Sequence, residues 1–217
     1  MRLSDCLGIR PGVTAVIGGG GKTTLISTLA EELREESTVI VCTSTHIRVP
    51  GRYPLVTGGE DELAEALRIH GAVCAGTPAG GGKLTAPPLS FEKLAELADH
   101  VLVEADGSKG LPLKRHASHE PVIPANAGRV VLVVGADGFN KPVSSVCHRA
   151  SEDETEAATP AWAAQNILRE GLGDCVYINK VENDGDYAAA LELAALLDCP
   201  VTAGSLLRKD YKCIRRD

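Results

Sequence analysis

Residues 16–25 read VIGGGGKTTL. An apolar run enters four consecutive glycines and leaves through Lys-Thr-Thr. Glycine lets backbone N–H groups turn inward around an anion, at φ values that other residues resist. A helix opening at the lysine adds partial positive charge at its N-terminus. In this reading Gly18, Gly19, Gly20 and Gly21 cradle phosphate. Lys22 reaches the β- and γ-phosphates, the Thr23 hydroxyl ligates Mg²⁺, and Thr24 touches the α-phosphate. The spacing departs from the usual G-x-x-x-x-G-K-[ST], because counting back from Gly21 to the first glycine position reaches Val16. Either the strand ends early and residues 16–17 join the loop, or the loop is tighter than usual.

The rest of the chain supplies a frame for such a loop. Short β-branched runs at 14–18, 38–44, 100–106, 129–135 and 174–180 read as fully buried strands, with weaker candidates at 72–76 and 200–206. Amphipathic patterns alternate with them: KTTLISTLAEELREE, EDELAEALRIHG, SFEKLAELA, TPAWAAQNILREG and DGDYAAALELAALL. Ser90 and Thr159 stand at capping positions, the latter before Pro160. Continuous apolar strands alternating with helices predict a three-layer α/β fold of the P-loop NTPase type. Its central sheet is mostly parallel, with helices on both faces. The 217 residues suit one domain spanning 1–217. Gly- and Pro-containing loops at 46–59, 76–90 and 107–128 are long enough to be functional rather than connecting.

Composition excludes several classes. The formal net charge is −7 and no long basic stripe occurs, which argues against nucleic acid. The locally cationic end, RKDYKCIRRD, reads as a solvated, partly frayed C-terminus. No run approaches a membrane span, and the start does not resemble a signal peptide. Seven scattered cysteines without C-x-x-C predict reduced thiols in the cytoplasm, not a zinc site.

In a parallel sheet, ligands bind at the carboxyl ends of the strands. VLVEADGS ends a strand with Glu104 and Asp106, two apart and so on the same side. Either can hold the hydration shell of Mg²⁺ beside Thr23. Asp-Gly-Ser is also ordinary turn chemistry. Thr45 and His46, in the run Thr-Ser-Thr-His at 43–46, are candidates for phosphate or substrate contact, or for local hydroxyl–backbone bonds. Asn179, Lys180 and Glu182 stand where many GTPases carry N-K-x-D. Glutamate replaces the aspartate, which leaves guanine recognition open, and Ser205 falls in the place of a second base-contacting loop.

These landmarks together resemble one family. L-G-I-R-P-G at 7–12, G-G-G-G-K-T-T at 18–24, T-S-T-H-I at 43–47, E-A-D-G-S-K-G-L-P-L-K at 104–114, H-E-P-V-I-P at 119–124, H-R at 148–149 and N-K-V-E at 179–182 are similar to the YqeC-like proteins. The pairing of E-A-D-G-S with H-E-P-V-I-P is the specific part. His116 stands where the family often has proline. The resemblance implies a P-loop fold and a role in maturing a selenium-dependent molybdenum hydroxylase. It draws attention to the loop KGLPLKRHASHEPVIP, in which Lys109, Lys114, His119 and Glu120 are candidates for phosphate or substrate contact. Arg149, beside His148, adds a cation from the same side. Cys147, next to that pair, is the thiol whose reactivity needs testing.

Three functions fit these residues. In the first, a Mg²⁺-dependent NTPase binds ATP or GTP, with Lys22, Glu104, Asp106, His46 and Arg149 as catalytic candidates. The second is a non-hydrolysing carrier of a phosphate-bearing pterin nucleotide or of an oxyanion such as selenophosphate. The third is a degenerate P-loop domain that docks on the hydroxylase.

Overall fold

The computed structural model describes residues 2–216. From the N-terminus the chain forms α1 (Leu3–Cys6), β1 (Gly12–Gly18), α2 (Lys22–Leu33), β2 (Val39–Thr43), β3 (Ile47–Arg48), β4 (Leu55–Val56) and α3 (Glu60–His70). It continues through β5 (Ala72–Ala75), β6 (Thr77–Pro78), β7 (Lys83–Thr85), α4 (Phe91–Leu97), β8 (His100–Glu104), β9 (Leu113–Lys114) and β10 (Ala127–Gly135). A 3₁₀ turn (Ala136–Gly138), α5 (Val143–Val146), β11 (Cys147–His148), α6 (Pro160–Glu170), β12 (Cys175–Asn179), α7 (Asp184–Ala195), β13 (Val201–Ser205) and β14 (Asp210–Arg215) complete it.

Nine strands make one sheet in the order β14-β13-β12-β10-β1-β8-β2-β5-β4. All neighbours are parallel except β13 and β14. The central strands are buried along nearly their whole length, as their β-branched runs require. Leu25, Ile26 and Leu29 of α2, with Leu3 of α1, pack on one face against Val16, Val39, Leu102 and Val131. The opposite face is covered by α6 and α7 around Ile17 and Leu132, and by α3 and α4 around Val13 and Val101. The fold is therefore the expected three-layer P-loop type. The Ser90 and Thr159 side chains accept from Lys93 N and Trp162 N, capping α4 and α6.

Two expectations require correction. The cationic C-terminus is not a frayed tail: β14 pairs antiparallel with β13, with Ser205 opposite Asp210. Tyr211 packs edge-on against buried Tyr177, their ring centroids 6.5 Å apart. Lysine and arginine within Asp210–Arg215 masked the alternation of a half-buried strand, and charges of that kind suit a sheet edge. The long loops are also structured. Residues 46–59 and 76–90 contribute β3, β7 and β6 to a small antiparallel sheet, and β4 to the edge of the large one. The 107–128 loop contributes β9, which pairs with β11.

Parallel order brings the ends of β1, β8, β2, β10, β12 and β13 to one edge of the sheet. The glycine loop lies at its centre, since β1 is flanked by β8 and β10.

Candidate functional site

Strand β1 runs through Gly18, and α2 opens at Lys22, so the turn is Gly19–Gly21. The tighter of the two sequence alternatives is the one formed. Its tightness comes from close backbone approach. A Cβ on Gly20, at φ +81°, would stand 2.3 Å from Gly135 N, and one on Gly18, at φ +95°, 2.4 Å from Val133 O. We expect Gly20→Ala to lower stability by about 1–3 kcal/mol, measured by urea denaturation, because backbone and not a flexible side chain must give way.

The turn's amides do not all face an anion. Gly18 N–H donates to Asp106 Oδ2 at 2.8 Å. Gly19 N–H donates to Val133 O at 3.0 Å, and Gly20 N–H to Leu111 O at 3.0 Å. The segment after Asp106 therefore lies against the loop and consumes these donors, which corrects the expectation of a cradle made by every glycine. The amides of Gly21, Lys22, Thr23 and Thr24 have no acceptor among the described residues, and no side chain caps α2. Anion-binding capacity resides in this first helical turn.

Lys22 is buried and folds back over the turn, donating to Gly18 O at 2.7 Å and to Ser108 Oγ at 3.3 Å. Its Nζ lies 3.0 Å from Asp106 Oδ1 and 3.8 Å from Glu104 Oε1. Thr23 Oγ1 donates to Glu104 Oε2 at 2.7 Å. Burial pushes the Glu104 carboxyl up, with Lys22 and Thr23 only partly opposing it. Burial also acts upward on Asp106. His116, Lys22, the Gly18 amide and Lys114 together reverse it and hold that carboxyl at about 2.

The two acids thus have different tasks. Every contact available to Asp106 is with this chain's own donors, so it is a tether. Glu104, the partly exposed Thr23 hydroxyl and open solvent beyond them form an oxygen donor set of the kind a hard divalent cation takes, with phosphate and water completing it. Among the described residues no three His, Cys, Asp or Glu side chains form an all-protein metal cage.

His116 is the residue that sequence reading left without a role. Its Nε2 lies 2.6 Å from Asp106 Oδ2 and its Nδ1 2.7 Å from Glu170 Oε2, while its backbone N–H donates to Glu170 Oε1 at 3.0 Å. Burial disfavours a charged imidazole, but carboxylates at both ring nitrogens outweigh this and raise its pKa. Glu170 ends α6, 54 residues away in sequence, and no local signal linked it to the site. The basis for finding His116 was its departure from the family's proline.

Lys114 extends the network. Its Nζ lies 2.9 Å from Glu120 Oε2 and 3.4 Å from Asp106 Oδ2. Arg149 reaches the same Glu120 oxygen at 3.2 Å. Thr43 Oγ1 donates to Glu104 O at 2.7 Å and accepts from Thr45 N–H at 3.0 Å, fixing the neighbouring strand end. His46 and His119 are exposed. Cys147 is buried and its thiol is pushed to about 11, so it is no nucleophile at neutral pH. No disulfide forms among the described residues.

A second group of candidates lines a cleft of about 660 Å³ that starts at Thr24 and is walled by Phe139, Lys180, Glu182 and Leu206. Asn179 is a stitch: its Nδ2 donates to Gly20 O at 2.8 Å and its Oδ1 accepts from Leu206 N–H at 3.2 Å. Glu182 accepts from Ser205 Oγ at 2.6 Å and pairs with Arg208 at 2.8 Å. Lys180 pairs with Asp137 at 2.7 Å.

Comparison with known proteins agrees with the motifs. The YqeC protein family model matches residues 14–151. The uncharacterized protein YqeC of Escherichia coli (strain K12) is 34% identical over 152 residues, covering 66% of this chain. The chain spans about 59% of that relative's length. Among solved structures, it is similar to the signal recognition particle 54 kDa protein of Aeropyrum pernix K1 in complex with GDP, at TM-score 0.47 and 17% identity. That match covers 90% of this chain and 42% of the other. The signal recognition particle receptor FtsY of Elizabethkingia anophelis matches at TM-score 0.45 and 15% identity, over 93% of this chain and 62% of the other. No helix among the described residues is long and apolar enough to cross a membrane. With its glycine turn, its Glu104–Asp106 strand end and His148–Arg149 all inside the matched region, this chain belongs to the YqeC protein family.

Proposed function

We propose that the chain binds a nucleoside triphosphate with Mg²⁺ and hydrolyses it. One observation carries the reading. At a single strand edge, the unpaired first-turn amides of α2, the Lys22 ammonium and the Thr23–Glu104 pair converge beside a cleft that begins at Thr24. Phosphates sit on the amides, and the base and ribose lie in the cleft. Thr23 and Glu104 would hold the cation, which would supply neutralisation of charge on the phosphate oxygens. Lys22 is held between Gly18 O and the two acids, so its charge is positioned before the ligand arrives. Asp106, restrained by four donors, keeps Lys22 and the turn in place without bonding the ligand.

We further infer, from the family resemblance, that turnover serves maturation of a selenium-dependent molybdenum hydroxylase. The consumed amides of Gly18, Gly19 and Gly20 favour one rival, the non-hydrolysing carrier of a pterin nucleotide or oxyanion.

A thermal-shift panel tests the reading with ATP, GTP and a pterin nucleotide, each with and without Mg²⁺. Phosphate release is followed in parallel. The expected result is Mg²⁺-dependent stabilisation of about 2.7 kcal/mol at a hundredfold excess over Kd, with Mg²⁺-dependent release. Stabilisation by the pterin nucleotide alone, without release, establishes the carrier. No response to any ligand refutes both. The ATP and GTP arms separate the bases, because a guanine must share the Glu182 oxygens with Ser205 and Arg208.

A further inference from the structure

We propose that Arg208 sets the base preference of the cleft beside the glycine loop. It holds the Glu182 carboxylate away from the base, so the cleft takes a purine by its faces and gives guanine no advantage over adenine. This assignment rests on the nucleotide reading of the same cleft and adds to it the residue that selects the base.

The two purines differ along one edge. Guanine presents two donors side by side, N1–H and the N2 amino group, where adenine presents an N1 acceptor. A carboxylate that accepts from both guanine donors tells the bases apart, and Asn-Lys-Val-Glu at 179–182 puts one on the wall of the cleft. Here that carboxylate is occupied on both sides. Oε1 accepts from the Ser205 hydroxyl at 2.6 Å, and Oε2 pairs with Arg208 Nε at 2.8 Å. Ser205 is buried, and its oxygen accepts from the Arg208 backbone N–H at 3.1 Å, which fixes the hydroxyl on Glu182. Arg208 Nη1 also donates to Glu182 O at 2.8 Å. One guanidinium thus grips both the side chain and the backbone of Glu182.

The other polar side chains of the wall are engaged as well. Buried Asn179 spends its Nδ2 on Gly20 O and its Oδ1 on Leu206 N–H. Lys180 and Asp137 pair with each other. Asp186 Oδ2 accepts from Glu182 N–H and from Asn183 Nδ2, both at 2.9 Å. Lys141 is a donor and offers guanine N1–H nothing. Phe139, Leu206 and the 87% exposed Leu207 supply apolar surface, against which the faces of either purine pack.

Arg208 is placed to be the deciding residue. It lies between β13 and β14, with its side chain 60% exposed, and the Glu182 side chain is 33% exposed. Guanine entering the unaltered chain must displace both Arg208 contacts and the Ser205 hydroxyl. An ion pair this exposed adds little to the fold, so its guanidinium can be deleted to free the carboxylate without unfolding the chain.

The test is isothermal titration calorimetry of the full chain with Mg²⁺ and the β,γ-imido analogues of ATP and GTP. In the unaltered chain the ATP analogue binds at least as tightly as the GTP analogue. In Arg208→Ala the ratio of the two affinities moves about tenfold toward GTP. In the double variant Arg208→Ala, Glu182→Gln that gain is gone, because the freed carboxylate is what reads guanine. The ratio is the right readout, since a change in overall charge or in folded fraction alters both ligands alike. An unaltered chain that prefers the GTP analogue by about tenfold or more overturns the proposal and leaves the nucleotide reading standing. So does an Arg208→Ala ratio equal to that of the unaltered chain. No binding of either analogue to the unaltered chain removes the nucleotide reading, and the proposal with it.

Discussion

Replacing Asp106 by alanine is expected to destabilise the chain by about 3–5 kcal/mol, the cost of removing one partner from a buried ionic network. The carboxylate is fully buried. It accepts from the Gly18 amide at 2.8 Å and faces His116 at 2.6 Å, Lys22 at 3.0 Å and Lys114 at 3.4 Å. Without it, three cationic groups and an amide lose their shared acceptor, and the glycine turn keeps only the Gly20–Leu111 backbone bond to the 106–112 segment. Urea denaturation at neutral pH measures the loss. A change below about 1 kcal/mol would show that the cluster is solvated and the tether idle.

The same network gives this prediction a pH signature. The Asp106 pKa is depressed to about 2, so its contribution is present above its ordinary value of 3.8 and is lost as pH falls through 2. The His116 pKa is raised above 6.5, so its contribution is complete below 6.5 and is lost as pH rises through the folded value. Both are present together between about pH 4 and 6.5. Glu104, also raised, adds a loss of stability beginning above 4.5. Melting curves from about pH 2 to 9 separate these contributions. His116→Asn should flatten the alkaline decline while leaving the Glu104 part in place.

Replacing Lys22 by alanine is expected to lower nucleotide turnover by a factor on the order of 10²–10³, the effect of deleting one preorganised charge donor. Its stability cost should be smaller than that of Asp106→Ala, because Asp106 keeps His116 and Lys114 when the ammonium is gone. On the proposed reading that difference distinguishes the two residues: one is a charge aimed at the ligand, the other the anchor that aims it. Turnover is measured per folded molecule, with the folded fraction taken from circular dichroism. Unchanged turnover in a folded Lys22→Ala protein removes the lysine from the mechanism.

The order of elements was legible in the chain because buried parallel strands announce themselves as short β-branched runs. The helices between them carry apolar residues at spacings of three and four. Ser90 and Thr159 marked two helix starts by chemistry that acts within a single turn. The strand–glycine–lysine unit and the acids at 104 and 106 were readable for the same reason, since each is a local arrangement along one stretch of backbone. The C-terminal strand was not legible. Its pairing depends on β13 and on Tyr177, and its charges disguised the alternation.

What the sequence alone determined was the strand–glycine–lysine unit and which strand ends surround it. Tertiary structure decided how the donors are divided. It directed the amides of Gly18, Gly19 and Gly20 into the protein and left those of α2 open. It made Asp106 a tether and left Glu104 beside Thr23. It brought Glu170 to His116, and Lys114 to His148, across distances in sequence that no local pattern spans. The reason is physical. Propensity and periodicity act over a few residues, whereas the partner of a buried charge is whatever the packed sheet places within about 3 Å of it.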